Sequence, residues 1–257
     1  MSPGNSYEPA STGDCGRKEP RWKTKKWLIP VVSSIVVVLI ITIILLATLL
    51  PSSSSLFPKT GFIHFPALEK ICFNPDDPSS YREYVSVLNS TIEPYENTKI
   101  EGNMIDCSKK EPQEGEVCFI TDTWLNNCRK QALWGYKDAT PCVVLSYHDD
   151  LEFNPVPYGN SDKLPDKMPE DLKTKIRDST NKALWVSCTR ADQYNPYPGF
   201  LISFFPIRNV SNYLSPLIGV EFELPEEGAL DVTCSLWSRT ASGDPVDEVS
   251  FKIGKNC

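Results

Sequence analysis

Residues 27–50 read WLIPVVSSIVVVLIITIILLATLL, 24 residues without an ionisable side chain. Crossing a hydrocarbon core of ~30 Å takes ~20 apolar residues in a helix, so this run is long enough to span a bilayer once. Val, Ile and Leu dominate it. Its polar residues, Ser33, Ser34, Thr42 and Thr48, are uncharged, which suits an anchor rather than a transport path.

Outward from this run the chain is lopsided. The preceding 26 residues carry Arg17, Lys18, Arg21, Lys23, Lys25 and Lys26 against Glu8, Asp14 and Glu19, a net +3. The remainder has 20 basic and 30 acidic residues, a net −10. Basic flanks stay on the cytoplasmic side, so the N-terminus is expected inside and the C-terminal part outside, a single-pass type II arrangement. A cleaved signal peptide has a short basic head and an apolar core of ~7–15 residues; this head and this core are both longer, which points to an uncleaved signal-anchor. The sequence predicts a cytoplasmic tail at 1–26, a transmembrane helix at 27–50, a stalk at 51–70 and a domain at 71–257. The outer part is long enough for one sizeable core. Its acidity argues against a nucleic-acid partner and leaves the lipid bilayer as the expected non-protein contact.

Nine cysteines sharpen this reading. Cys15 falls in the reducing cytoplasm and is expected to be a free thiol. The other eight, Cys72, Cys107, Cys118, Cys128, Cys142, Cys188, Cys234 and Cys257, lie on the oxidising side, where disulfides persist. Eight cysteines allow on the order of a hundred pairings, and sequence alone does not choose. Proximity suggests Cys107–Cys118, Cys128–Cys142 and Cys188–Cys234. No CxxC pair is present and His64 and His148 are the only histidines, so a zinc site is not expected.

Asp77 followed by Pro78 reads as an N-cap and first helical residue, and Ser80 with Glu83 fits a capping box. Tyr81, Tyr84, Val85, Leu88 and Ile92 then recur on one helical face, and Pro94 ends the pattern. Past Ile100 the signal turns to β: Glu116–Thr121, Pro141–Tyr147, Ala183–Thr189, Leu217–Leu224, Leu230–Trp237 and Val249–Ile253 are short and turn-bounded. Pro169–Ser179 reads as a second short helix, with Leu172 and Ile176 on one face. The fold class is therefore mainly β, a sandwich with one or two short helices.

No motif for catalysis is present: GxSxG, HExxH, a Walker loop and GxGxxG are all absent. His148 before Asp149 and Asp150 reads as a solvated turn after a strand. No cofactor and no enzymatic activity are expected. Asn89-Ser90-Thr91 and Asn209-Val210-Ser211 are glycosylation sequons on the outer side. Tyr194-Asn195-Pro196-Tyr197-Pro198-Gly199-Phe200 is the densest aromatic–proline stretch. Such segments make rigid surfaces that bind partners with little ordering cost, or else pack as loops over a core.

Taken together, these residues resemble the beta subunit of the Na,K-ATPase and H,K-ATPase family, over most of the chain. Gly16-Arg17-Lys18 with Trp22 precedes the membrane run as in that family, and Asn74 to Tyr81 resembles its helix start. Asp106-Cys107 with Val117-Cys118-Phe119 resembles its first disulfide. Trp124 to Cys128, Gly135-Tyr136-Lys137 and Pro141-Cys142 resemble its second, and Val186-Ser187-Cys188 with Val232-Thr233-Cys234 its third. Tyr194, Pro196, Tyr197 and Gly199 fall on its Tyr-Pro-Tyr loop, followed by Tyr213-Leu214 and Pro216-Leu217.

The resemblance implies an immunoglobulin-like β-sandwich outside the membrane and a non-catalytic role. Such a subunit binds the catalytic alpha subunit of a P-type Na+/K+ pump, helps it fold and reach the plasma membrane, where this chain would also reside, and modulates its cation affinity. Tyr194, Pro196, Tyr197 and Gly199 would face alpha. The chain departs from the family at Asn195 and Pro198, where Tyr is preferred, and in a membrane run lacking Tyr and Phe. Cys72 and Cys257 have no obvious family equivalents and are expected to pair with each other. The departures keep a second reading open, a pump-independent type II protein acting in adhesion or junctions.

Overall fold

The computed structural model describes residues 61–96, 102–107, 109–120, 122–148, 153–205, 211–226 and 228–257. Residues 1–26 with Cys15, the run 27–50, the part of the predicted stalk up to residue 60, Asp149, Asp150 and Asn209 lie outside the described residues. Among the described residues no helix is long and apolar enough to cross a membrane.

In chain order come β1 (Gly61–Phe65), β2 (Lys70–Phe73), α1 (Pro78–Glu96), β3 (Met104–Ile105), β4 (Val117–Cys118), β5 (Cys142–His148), α2 (Glu170–Asp178), β6 (Ala183–Cys188), β7 (Ala191–Asn195), β8 (Gly199–Leu201), β9 (Leu217–Phe222), β10 (Gly228–Trp237) and β11 (Asp247–Lys255), with short 3₁₀ turns at Asp122–Leu125, Lys130–Gly135 and Ile202–Phe204. The protein is mainly β with few helices. One sheet has the order β1-β5-β9-β7 and a second the order β2-β11-β10-β6-β8; β3 and β4 form a short pair. Neighbours are antiparallel except β2 with β11 and β3 with β4.

Inner faces of both sheets meet in one core. Val143, Leu145, Ile218 and Val220 enter it from the first sheet, and Leu184, Val186, Val232, Leu236 and Ile253 from the second. Successive strand residues point to opposite faces, so Leu184 and Val186 face this core while Ala183 and Trp185 face away. The outward pair is nevertheless buried, because residues 158–176 fold over it. Tyr158, Leu164, Met168, Leu172 and Ile176 close a second cluster on Ala183, Trp185 and Trp237. Trp185 and Trp237 are register partners across β6 and β10. That second layer explains why β6 reads as a continuous apolar run rather than an alternating one.

α1 sets Tyr81, Leu88, Ile92 and Tyr95 into the main core. Full burial of one such side chain is worth about 1.5–3 kcal/mol. Its start is capped by Asp77, whose Oδ1 accepts the N–H of Ser79 at 3.0 Å and its hydroxyl at 2.7 Å. The expected box with Glu83 is replaced: Ser80 Oγ instead donates to the carbonyls of Asp77 and Asn74 and accepts the N–H of Asn74. Pro94 does not end the helix, which continues to Glu96. Tyr95 gives that last turn its anchor, donating its hydroxyl to the carbonyl of Ser215 at 2.8 Å.

The largest departure from the sequence reading is the stalk at 51–70. Gly61–Phe65 is an edge strand, paired from Gly61↔His148 to Phe65↔Val144, so the folded body begins before residue 71. Phe62 and Ile63 are buried, and the N–H of Phe62 donates to Asp247 Oδ2 at 2.9 Å.

Candidate functional site

β7 is an edge strand of the first sheet and β8 an edge strand of the second, and the turn Pro196–Pro198 carries the chain between them. The aromatic–proline stretch thus closes one side of the two-sheet stack. The Asn195–Pro196 peptide is cis.

Each residue of this stretch has its own tie. Tyr194 pairs with Val220 of β9, and its hydroxyl accepts the backbone N–H of Cys188 at 2.6 Å. Burial pushes that hydroxyl up to about 12 against the opposing pull of the Cys188 bond. The Lys175 ammonium of α2 sits 5.2 Å from the centre of the Tyr194 ring. Asn195, at a position where the resembling family prefers Tyr, is buried and donates its Nδ2 to Glu221 Oε1 at 2.6 Å.

Pro196 and Tyr197 are half-buried. The Tyr197 ring meets Trp124 and Trp185 edge-on, with centroids 6.3 and 6.5 Å away. Its hydroxyl is buried without a hydrogen-bond partner among the described residues, and burial holds it protonated far up the pH scale. Gly199 is buried, and a Cβ there would lie 3.1 Å from both Ala183 Cβ and the Leu184 carbonyl, so the close approach of β8 to β6 needs glycine. The four predicted contact residues therefore form one structural unit. Tyr194, Pro196 and Tyr197 keep part of their surface open, whereas Gly199 acts through the backbone. Trp124, Lys175 and Glu221 complete the surface and are far from it in sequence.

The cysteines frame the same region. Cys188 is bonded to Cys234 directly across β6 and β10 (S–S 2.05 Å), and Cys128 to Cys142 (2.11 Å). The second bridge packs on Gly219 of β9, where a Cβ would lie 2.7 Å from Cys128 Cβ. Cys107–Cys118 (2.04 Å) ties the segment after β3 to β4, and Cys72–Cys257 (2.09 Å) joins β2 to the C-terminus. Cys128, Cys142 and Glu221 come within metal-binding distance of one another, but both sulfurs are spent in the disulfide and Glu221 is taken by Asn195.

Asn89, the first sequon residue, lies in α1, and its Oδ1 accepts the indole N–H of Trp134 at 3.0 Å. His148 closes β5, with Nδ1 3.2 Å from Ser215 Oγ.

The sequence matches the family model described as "Sodium / potassium ATPase beta chain" over residues 7–251. It is 31% identical to the sodium/potassium-transporting ATPase subunit beta-2 of Drosophila melanogaster, over 57% of this chain and 51% of that protein. It is 29% identical to subunit beta-1 of the same fly, over 71% of this chain and 64% of that protein. Against subunit beta-1 of Tetronarce californica it is 25% identical, over 69% and 67% of the two chains. The matched segment thus spans between about half and two thirds of these relatives' length.

Proposed function

The chain belongs to the sodium/potassium ATPase beta-chain family, and on that premise we propose that it is the non-catalytic beta subunit of a P-type Na+/K+ pump. In this reading residues 27–50 form a single membrane helix with residues 1–26 in the cytoplasm. The described domain is then the extracellular part, an immunoglobulin-like sandwich stapled by its four disulfides. It binds the catalytic alpha subunit, supports its folding and delivery to the plasma membrane, and modulates its cation affinity.

The observation that carries this is the Tyr194–Gly199 turn. Three of its side chains stay partly open while hydrogen bonds, edge-on ring contacts and two disulfides hold the backbone beneath them. A surface already rigid in the free subunit loses little entropy on docking. Asn195 and Pro198 give up two of the family's tyrosines without opening the turn, since Asn195 is bound to Glu221 and Pro198 accepts the N–H of Val186 on its carbonyl at 3.0 Å.

Asn89 and Asn209 are the proposed glycan carriers. At Asn89 an indole N–H can only donate, so Oδ1 is the atom turned to Trp134, leaving Nδ2, the atom a glycan uses, for the outside.

The test is co-expression of the full chain with a pump alpha subunit from the same source, reading surface delivery and potassium-stimulated ATP hydrolysis. Alpha carried to the surface with activity supports the proposal. Alpha retained in the endoplasmic reticulum, with a folded beta chain that does not co-purify, overturns it in favour of the adhesion reading.

A further inference from the structure

The turn Leu133-Trp134-Gly135 is left-handed throughout, with φ of 47°, 55° and 74°. Glycine adopts this region without steric cost, Asn and Asp visit it more readily than other side chains, and such residues normally occur singly. Leu133 bears that cost while its side chain stays 38% exposed, so neither backbone preference nor core packing accounts for a large apolar group there. We infer that Leu133 is the seat of the Asn89 glycan: the first sugars lie across its methyl groups, which makes the glycan a fitted part of this surface. This rests on the proposed function above, which puts the domain outside the membrane and makes Asn89 a glycan carrier.

Attachment is the first ground. Asn89 Oδ1 accepts the indole N–H of the fully buried Trp134 at 3.0 Å. A glycan replaces a hydrogen on Nδ2 and leaves the carbonyl oxygen intact, so this bond survives the modification. The side-chain amide is planar, so a fixed Oδ1 also fixes the direction in which Nδ2 sends out the first sugar. The residue that sets this direction, Trp134, is the chain neighbour of Leu133.

Placement is the second. Lys130 reaches Glu96 at 3.4 Å and Trp134 reaches Asn89, and Asn89 and Glu96 lie two turns apart on one side of α1. The segment 130–134 therefore runs alongside α1, with Leu133 on the seam between them. The turn is held in place there. The N–H of Trp134 donates to the Arg129 carbonyl at 3.1 Å and that of Thr140 to the Gly135 carbonyl at 3.0 Å. A Cβ at Gly135 would lie 2.0 Å from the Thr140 carbonyl oxygen, and the Cys128–Cys142 bridge closes the loop around the turn.

The rim is the third. Arg129, Lys130 and Gln131 before the turn are exposed, as are Ser86 and Glu93, which flank Asn89 on α1. An N-acetylglucosamine offers a C–H face and an acetyl methyl to Leu133, and hydroxyls and an amide to these polar neighbours. An apolar protein surface placed over Leu133 would instead strip water from the charges around it.

The test uses the full chain made in cells that add N-glycans. Peptide mapping reads whether Asn89 is modified; an unmodified Asn89 overturns the carrier assignment and this inference together. Hydroxyl-radical footprinting then compares the parent with Thr91→Ala, which removes the sequon and keeps Asn89 and Trp134. Oxidation of Leu133 should rise severalfold in Thr91→Ala, while Leu68 and Val156, also exposed, stay as in the parent. Thr91→Ser restores the sequon and should behave as the parent. Leu133→Asn tests the contact from the other side, since Asn tolerates the left-handed backbone and the Cys128–Cys142 bond should persist in a non-reducing map. An endoglycosidase should release the Asn89 glycan severalfold faster from this native variant than from the native parent, with equal rates after denaturation. A modified Asn89 with Leu133 equally oxidised in the parent and in Thr91→Ala overturns the inference alone and leaves the carrier assignment standing. If Leu133 is protected in both chains, and only while alpha is bound, alpha is the cover and the inference fails.

Discussion

The indole N–H of the fully buried Trp134 donates to Oδ1 of Asn89 across 3.0 Å, joining the 3₁₀ turn Lys130–Gly135 to the middle of α1. Trp134 holds a left-handed backbone (φ 55°), so this bond is part of what keeps a large aromatic in an uncommon conformation. Asn89→Ala should strand a buried donor and cost about 1–3 kcal/mol. Thr91→Ala removes the same sequon while giving up only an exposed bond to the Val87 carbonyl. Both variants should lose any glycan at this site in a mobility assay, and only Asn89→Ala should show a clear drop in thermal stability.

Asp77→Ala should remove the α1 cap, which the Asp77 carboxylate makes with the N–H and hydroxyl of Ser79, and should lower the midpoint of chemical denaturation. The α1 face and its cap were legible because both depend on neighbours in sequence. Glu83 was a plausible partner by spacing, but Ser80 turned to Asn74, a contact set by how the preceding turn folds. β1 was missed for a different reason. Gly61 to Phe65 lies between Pro58 and Pro66, and its core pairing is with β5, some eighty residues away, which no local pattern announces. β7 was missed because Ala191-Asp192-Gln193-Tyr194-Asn195 is an edge strand with two exposed polar residues at its centre. The aromatic–proline turn was visible as composition. Its partners Trp124, Lys175 and Glu221 come from three other elements and became visible only with the topology.

Gly219→Ala should damage the Cys128–Cys142 region, since the new methyl would sit 2.7 Å from Cys128 Cβ and 2.8 Å from its Sγ. Neither atom can swing away while the disulfide is closed. A loss of about 1–3 kcal/mol is expected, along with slower formation of that bond in a non-reducing peptide map.

The double variant Cys72→Ser, Cys257→Ser opens a bridge between residues 185 apart that ties the C-terminus to β2. Among the described contacts, β2 is otherwise held to its sheet by a four-residue parallel pairing with β11. Thermal or denaturant unfolding should show a loss of about 2–4 kcal/mol, with the other three disulfides intact.

Tyr194 makes stability depend on alkaline pH. Its folded hydroxyl is raised to about 12, above the ordinary tyrosine value, so the fold favours the neutral form. The resulting stabilisation is complete below about pH 10 and drains away as pH rises from there through about 12. Denaturation midpoints measured across that window should fall less steeply for Tyr194→Phe than for the parent chain.

Tyr197 offers the sharpest separation between packing and partner binding. Its ring is wedged against Trp124 and Trp185, while its hydroxyl is buried with no partner among the described residues. A buried unpaired hydroxyl costs free energy, so Tyr197→Phe keeps the ring contacts and removes the penalty. The isolated chain should be unchanged or more stable by up to about 1 kcal/mol in thermal unfolding. If the ring alone presents the docking surface, the Phe variant should also recover alpha as well as the parent. If docking opens the site and a group of alpha completes the hydroxyl, the same variant should raise stability while weakening recovery. Two measurements on one substitution would then move in opposite directions, which loss of packing cannot produce.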